Sequence, residues 1–123
     1  MIADFFAGLA AIIHIYIFAM ESLLWGKPRA NRVFRMTPEQ AEICRPLAFN
    51  QGFYNLFLSL AIIAGLASGH RILVDYAMFS IGAAGAVLFM SAPHLRLAAR
   101  VQLFPALLYV VARQFLASKG FGL

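Results

Sequence analysis

Four long apolar runs alternate with short polar, mostly basic segments along the chain. They cover about Ile2 to Trp25, Leu47 to Ser68, Ile72 to Ala92 and Leu97 to Ser118. Each is close to the roughly 20 residues that a helix needs to cross about 30 Å of hydrocarbon. The runs are too long for strands, lack strict alternation and are rich in Ala and Leu. A helix also satisfies its own backbone groups inside lipid. The pattern predicts an all-α, membrane-embedded bundle of four transmembrane helices, forming one domain over residues 1–123.

The connecting segments add local detail. "TPEQ" at Thr37 to Gln40 has the form of a helix start, with Thr as N-cap, Pro at the first helical position and Gln completing a capping box. A short interfacial helix from Pro38 to about Arg45 is expected in the first loop, with Pro46 bending the junction to the second span. Phe34 and Met36 can dip into the headgroup region beside it. "SIGAAGA", Ser80 to Ala86, allows close helix approach and is read as packing within the monomer. Pro105 predicts a kink in the fourth span.

Composition strengthens the membrane reading. The chain is 63% hydrophobic and 12% charged, whereas an ordinary soluble domain carries about 25% charged residues. The formal net charge of +5 is concentrated between spans, as expected for orientation and anionic lipid contact rather than nucleic acid. Lys27, Arg29, Arg32, Arg35 and Arg45 occupy the first loop, and Arg96 and Arg100 the third. Arg71 and Lys119 mark the opposite side. The positive-inside rule places both basic loops in the cytoplasm and both termini outside. The first run lacks a basic n-region and is longer than a signal h-region, so it reads as a retained helix. Cys44 stands alone in the sequence and reads as a reduced thiol.

Polar side chains inside the spans are the candidate chemistry, because ionisable groups are costly in the bilayer. His14 and Glu21 are seven residues apart, nearly on one helical face, and Trp25 extends that stripe. Tyr16 points elsewhere and reads as a packing or interfacial residue. In "FNQGFYN", Asn50 and Tyr54 form one i, i+4 pair and Gln51 and Asn55 another. Gly52 permits close approach of a helix or ligand. Glu21, Gln51 and Gln102 each lie about 6–8 Å inside the same boundary at 1.5 Å per residue. The expectation is a polar cavity open to the cytoplasm and lined by the first, second and fourth spans, with Phe49, Phe53 and Trp25 as aromatic neighbours and the third span supplying packing. The alternative for the same residues is an interhelical hydrogen-bond network. Asp75 is expected to pair with Arg71, while Arg113 needs a partner or snorkels outward. His70 and His94 are read as solvated loop residues.

The donor set predicts no metal site and no cofactor. One intramembrane His near one Glu does not supply convergent ligands, and His70 and His94 belong to opposite surfaces, which removes a two-His haem site. No phosphate-binding glycine loop or Ser/His/Asp set is present.

"HIYIFAMESLLW", "FNQGFYN" and "QLFPALL" together resemble a family of short bacterial integral membrane proteins catalogued as domain of unknown function 1304. The Asn-Gln-Gly-x-Tyr-Asn run is the most specific part. The family's helix-one His-x-Tyr and downstream Glu correspond to His14, Tyr16 and Glu21, and its helix-four Gln and Pro to Gln102 and Pro105. The resemblance implies four transmembrane helices in a bacterial cytoplasmic membrane and no established reaction.

Three functional classes remain open. One is binding or transport of a small amphipathic molecule or lipid through His14, Glu21, Trp25, Asn50, Gln51, Tyr54, Asn55 and Gln102. Another is an intramembrane enzyme with Glu21 and His14 as an acid/base pair. The third is a noncatalytic partner subunit. A chain of 123 residues is small for a complete transporter, so a homo-oligomer is also considered.

Overall fold

The computed structural model describes residues 2–120, and among them there is helix but no strand. Helix α1 spans Ile2–Phe18 and runs on as a π-helical turn over Ala19–Leu23. A short helix α2, Pro28–Phe34, follows in the first loop. Helices α3, Pro38–Ser68, and α4, Arg71–Ser91, are joined by a tight turn at Gly69. A single 3-10 turn, Pro93–Leu95, leads into α5, Arg96–Ser118. The α1–π segment, α3, α4 and the turn–α5 segment are each long and apolar enough to cross a membrane, so the chain is a multi-pass membrane protein.

Each long helix packs on two neighbours: α1 against α3 and α5, and α4 against α3 and α5. Helices α1 and α4 face one another across the diagonal and barely touch. Both basic loops therefore lie at one end of the bundle. The Gly69 turn, the start of α1 and the close of α5 lie at the other.

Away from the basic loops the core is dense and built from small side chains. Ala3, Ala7, Ala10 and Ala11 of α1 pack with Ile62, Val74, Ala77, Met78, Ile81, Ala106 and Tyr109. Alanine and glycine bring backbones close where lipid offers no hydrophobic drive for association. A Cβ on Gly65 would come within 2.7 Å of Val74 Cγ2, and one on Gly85 within 3.0 Å of Leu103 Cγ. Gly82 and Gly85 thus face α5, so part of the small-residue run of α4 packs within the monomer, as its sequence suggested.

The first loop departs from expectation. Thr37 does cap a helix: its Oγ1 accepts from Gln40 N at 3.2 Å, and its N donates to Gln40 Oε1 at 3.0 Å. That helix, however, is α3 itself, continuous through Pro46. Pro46 is exposed and removes only the bond to the carbonyl of Glu42, also exposed, at the end of the bundle where water can replace it. At 31 residues, α3 is about 46 Å long by the helical rise, so its first turns project beyond the hydrocarbon. The short interfacial helix is instead α2, which starts with Pro28 at its first turn.

The intramembrane charges also pair differently from the sequence expectation. Arg71 reaches across the diagonal to Asp4, with its second guanidinium nitrogen 3.3 Å from Asp4 Oδ2. Asp75 accepts from the Tyr109 hydroxyl and from Arg113, at 3.2 Å through Nε and 2.9 Å through the terminal nitrogen. An Arg preceding an Asp by four residues is the weaker order of a helical pair. The antiparallel packing of α4 and α5 gives Asp75 two fixed donors instead.

Candidate binding site

Glu21 sits in the π turn, where Leu24 N donates to Ala19 O at 2.8 Å. The extra residue in this turn shifts the side chains that follow relative to an uninterrupted α-helix, and π turns of this kind recur at functional sites. Facing Glu21 is Asn55 of α3, 8% exposed. Its Nδ2 donates to Glu21 Oε2 at 2.8 Å and lies 3.1 Å from Gln51 O. One turn deeper, Ser59 Oγ lies 3.0 Å from Ala11 O and 3.1 Å from Asn55 O.

Gly52 makes this approach possible. A Cβ there would stand 2.1 Å from Ser22 Oγ and 3.1 Å from Glu21 Cβ, and Ser22 Oγ donates to Phe49 O at 2.9 Å. The glycine in "FNQGFYN" is therefore a point of close approach between α3 and the π turn, and it brings Glu21 to Asn55.

Beside this contact a cavity of about 850 Å3 opens at the basic end. Helix α1 contributes Ile13, His14, Tyr16, Ile17, Met20 and Glu21, and α3 contributes Gln51, Asn55 and Leu58. Val101 and Gln102 of α5 line it too. Helix α4 is more than packing, since Ile81, Ala84, Val87, Leu88 and Ser91 form a wall. Arg32, Val33, Phe34 and Arg35 close it from the loop side. The cavity extends to this wall because the diagonal pair α1 and α4 stay apart here.

Among the sequence candidates, His14, Glu21, Gln51, Asn55 and Gln102 line this one cavity. His14 is 1% exposed, with Nδ1 2.9 Å from Ala10 O. Asn50 and Tyr54 do not line it; both are exposed. The buried face of α3 follows Ala48, Gly52, Asn55, Ser59 and Ile62, and of the two polar pairs only Gln51 and Asn55 border that side. Trp25 also lies outside, where it serves as a strut: Nε1 donates to Ala41 O at 2.7 Å, and its ring packs on Phe34 at 5.1 Å. Phe49 and Phe53 form an aromatic ladder with Phe18 and Phe57 rather than a cavity wall.

Sequence reasoning missed Tyr16, His94 and the α2 segment, all of which line the cavity. Arg29 lies over the Tyr16 ring at 5.6 Å, a cation–π contact between α1 and the loop that no helical periodicity reveals. The close of α2 is also unusual. Arg35 adopts φ +53°, Met36 N donates to Asn31 O at 2.9 Å, and Arg35 N donates to Arg32 O at 3.3 Å. This is a Schellman ending with Arg in the left-handed position that glycine ordinarily occupies, a conformation costing about 1–2 kcal/mol for a side chain with a Cβ.

Among the described residues, no three His, Cys, Asp or Glu side chains gather where they could hold a metal. Residues 8–113 match the family described as protein of unknown function (DUF1304). The chain belongs to this family. No curated protein and no solved structure matches it, so the DUF1304 assignment brings no reaction or ligand with it, and the geometry of the site has to speak for itself.

Proposed function

We propose that this protein binds, and in the fuller reading transports, a small amphipathic molecule or lipid in the cavity at its basic end. The observation behind it is the cavity itself: about 850 Å3, largely aliphatic, with Glu21, Asn55, His14, Gln51 and Gln102 converging on it. Its size falls within the roughly 300–1,000 Å3 of ordinary ligand sites, which combine apolar walls with a few placed polar groups. The positive-inside rule orients the opening toward the cytoplasm, and the whole chain acts as one four-helix unit in this reading.

The test is the content of the purified protein. Mass spectrometry of molecules released after mild detergent extraction is expected to show a bound amphiphile. Ala84→Phe, which fills the cavity from the α4 wall, is expected to lose it, while Tyr54→Phe on the outer face retains it. An identical set of released molecules from all three proteins would overturn the reading.

A second reading, an intramembrane enzyme, draws on His14 and Glu21 lining the same cavity, where they would act as an acid/base pair on a hydrophobic substrate. It predicts that Glu21→Gln abolishes turnover of a bound molecule without releasing it. Turnover that survives the loss of both side chains removes that role.

A further inference from the structure

The basic end carries more cations than its own carboxylates and rings engage. Arg45 is bonded to Glu42 at 2.8 Å and to Trp25 O at 3.3 Å. Arg96 and Arg100 lie over the Phe89 ring at 5.2 and 5.8 Å, and Arg29 lies over Tyr16. Arg32 and Arg35 differ: both line the cavity, and among the described residues neither is joined to a carboxylate or stacked on a ring. Arg35 also holds the left-handed position closing α2, where glycine would relieve the backbone. A cation thus stands, against local backbone preference, at the rim of a largely aliphatic cavity.

Resting on the binding reading above, we propose that the ligand is an anionic amphiphile. Its carboxylate or phosphate head is held by the Arg32 and Arg35 guanidinium groups, and its apolar chain lies between Ile17, Val87, Leu88 and Val101. Guanidinium matches both head types through paired N–H donors. The free guanidinium groups lie at the mouth, while the walls beyond it are largely aliphatic around the polar group of His14, Glu21, Gln51, Asn55 and Gln102, so one molecule with a charged end and an apolar body fits both. The carboxylate could belong to a fatty acid and the phosphate to a lysophospholipid.

Trp25 is the chain's one tryptophan and packs on Phe34 of the cavity rim, so its fluorescence reports occupancy. Chain-brominated palmitate, palmitoyl lysophosphatidylglycerol and neutral monopalmitoylglycerol, titrated in a nonionic detergent, should quench it to different degrees. At least one anionic probe is expected to bind about tenfold or more tightly than the neutral one, and which one does so identifies the source of the head. Arg35→Gly should weaken the anionic probes about tenfold while leaving the thermal midpoint unchanged or higher, which separates loss of the cation from loss of fold. Arg35→Lys, which keeps the charge but not the paired donors, should lose less affinity than Arg35→Gly. Equal binding of neutral and anionic probes, or unchanged binding in Arg35→Gly, overturns the anionic assignment and leaves cavity binding standing. If Ala84→Phe alters quenching by none of the three probes, the cavity is not the site and both readings fall.

Discussion

The two halves of this bundle solve the same packing problem in opposite ways. At the Gly69 end, alanines of α1 pack into one dense core with side chains of α3, α4 and α5, and two ion pairs tie the helices across. At the basic end the same four helices leave about 850 Å3 open, and a loop helix covers the gap. Small side chains allow close approach but do not enforce it. What separates the halves is where the larger wall residues and the π turn fall.

The strongest test of this contrast is to enlarge one alanine in each half. Ala10, fully buried, has no room for a larger side chain. Ala10→Leu should cost about 3 kcal/mol, the upper end for overpacking a dense core. Ala84→Phe, directed into the cavity, should change stability by no more than about 0.5 kcal/mol. Denaturation in matched detergent micelles measures both. Equal costs would mean that the halves do not differ in packing.

Removing a charge at the dense end should come next. Asp75→Asn leaves Arg113 without its anion and weakens the bond to Tyr109. A loss of about 2 kcal/mol is expected, below the value for a fully buried pair because both groups keep some exposure. Combining it with Arg113→Met should recover most of the loss. A double variant as unstable as the single one would show that the pair is not what is being lost.

Gly52→Ala sharpens the boundary between the halves. The added Cβ meets Ser22 Oγ and Glu21 Cβ, so α1 and α3 must separate at a cost of about 1–2 kcal/mol, and the Glu21–Asn55 bond must lengthen. Ser22→Ala in the same chain removes the nearest clash and should return part of the stability. Crosslinking between cysteines introduced at positions 21 and 55 reports the separation directly.

The smallest expected loss from removing a native contact lies outside the lipid. Thr37→Ala removes the side-chain cap of α3 and should cost about 1 kcal/mol. Hydrogen exchange should rise at the first turn of α3 and remain unchanged in the bundle core. Faster exchange throughout the core would mean that the projecting part of α3 is coupled to the bundle as a whole.

Much of this architecture was legible in the sequence. Run length and the poverty of charge define four membrane helices, because lipid accepts few other ways of satisfying a backbone. "TPEQ" specifies its cap through contacts three residues apart, and the seven-residue spacing of His14 and Glu21 places them close to one face, although Glu21 stands in a π turn where the helical period changes. Those are local properties, with a period fixed by the helix itself.

Tertiary packing decided the rest. Which of two adjacent polar pairs on α3 turns inward depends on the face that buries Gly52 and Ser59, so Gln51 and Asn55 enter the cavity while Asn50 and Tyr54 do not. Asp75 takes Tyr109 and Arg113, and Arg71 takes Asp4, because partners on neighbouring helices lie in the fixed positions that those charges reach. The glycine of "FNQGFYN" marked a place of close approach, but the residues approaching it, Glu21 and Ser22, come from a helix that precedes it by some thirty positions. Periodicity along one helix determines faces; only contact between helices determines what each face meets.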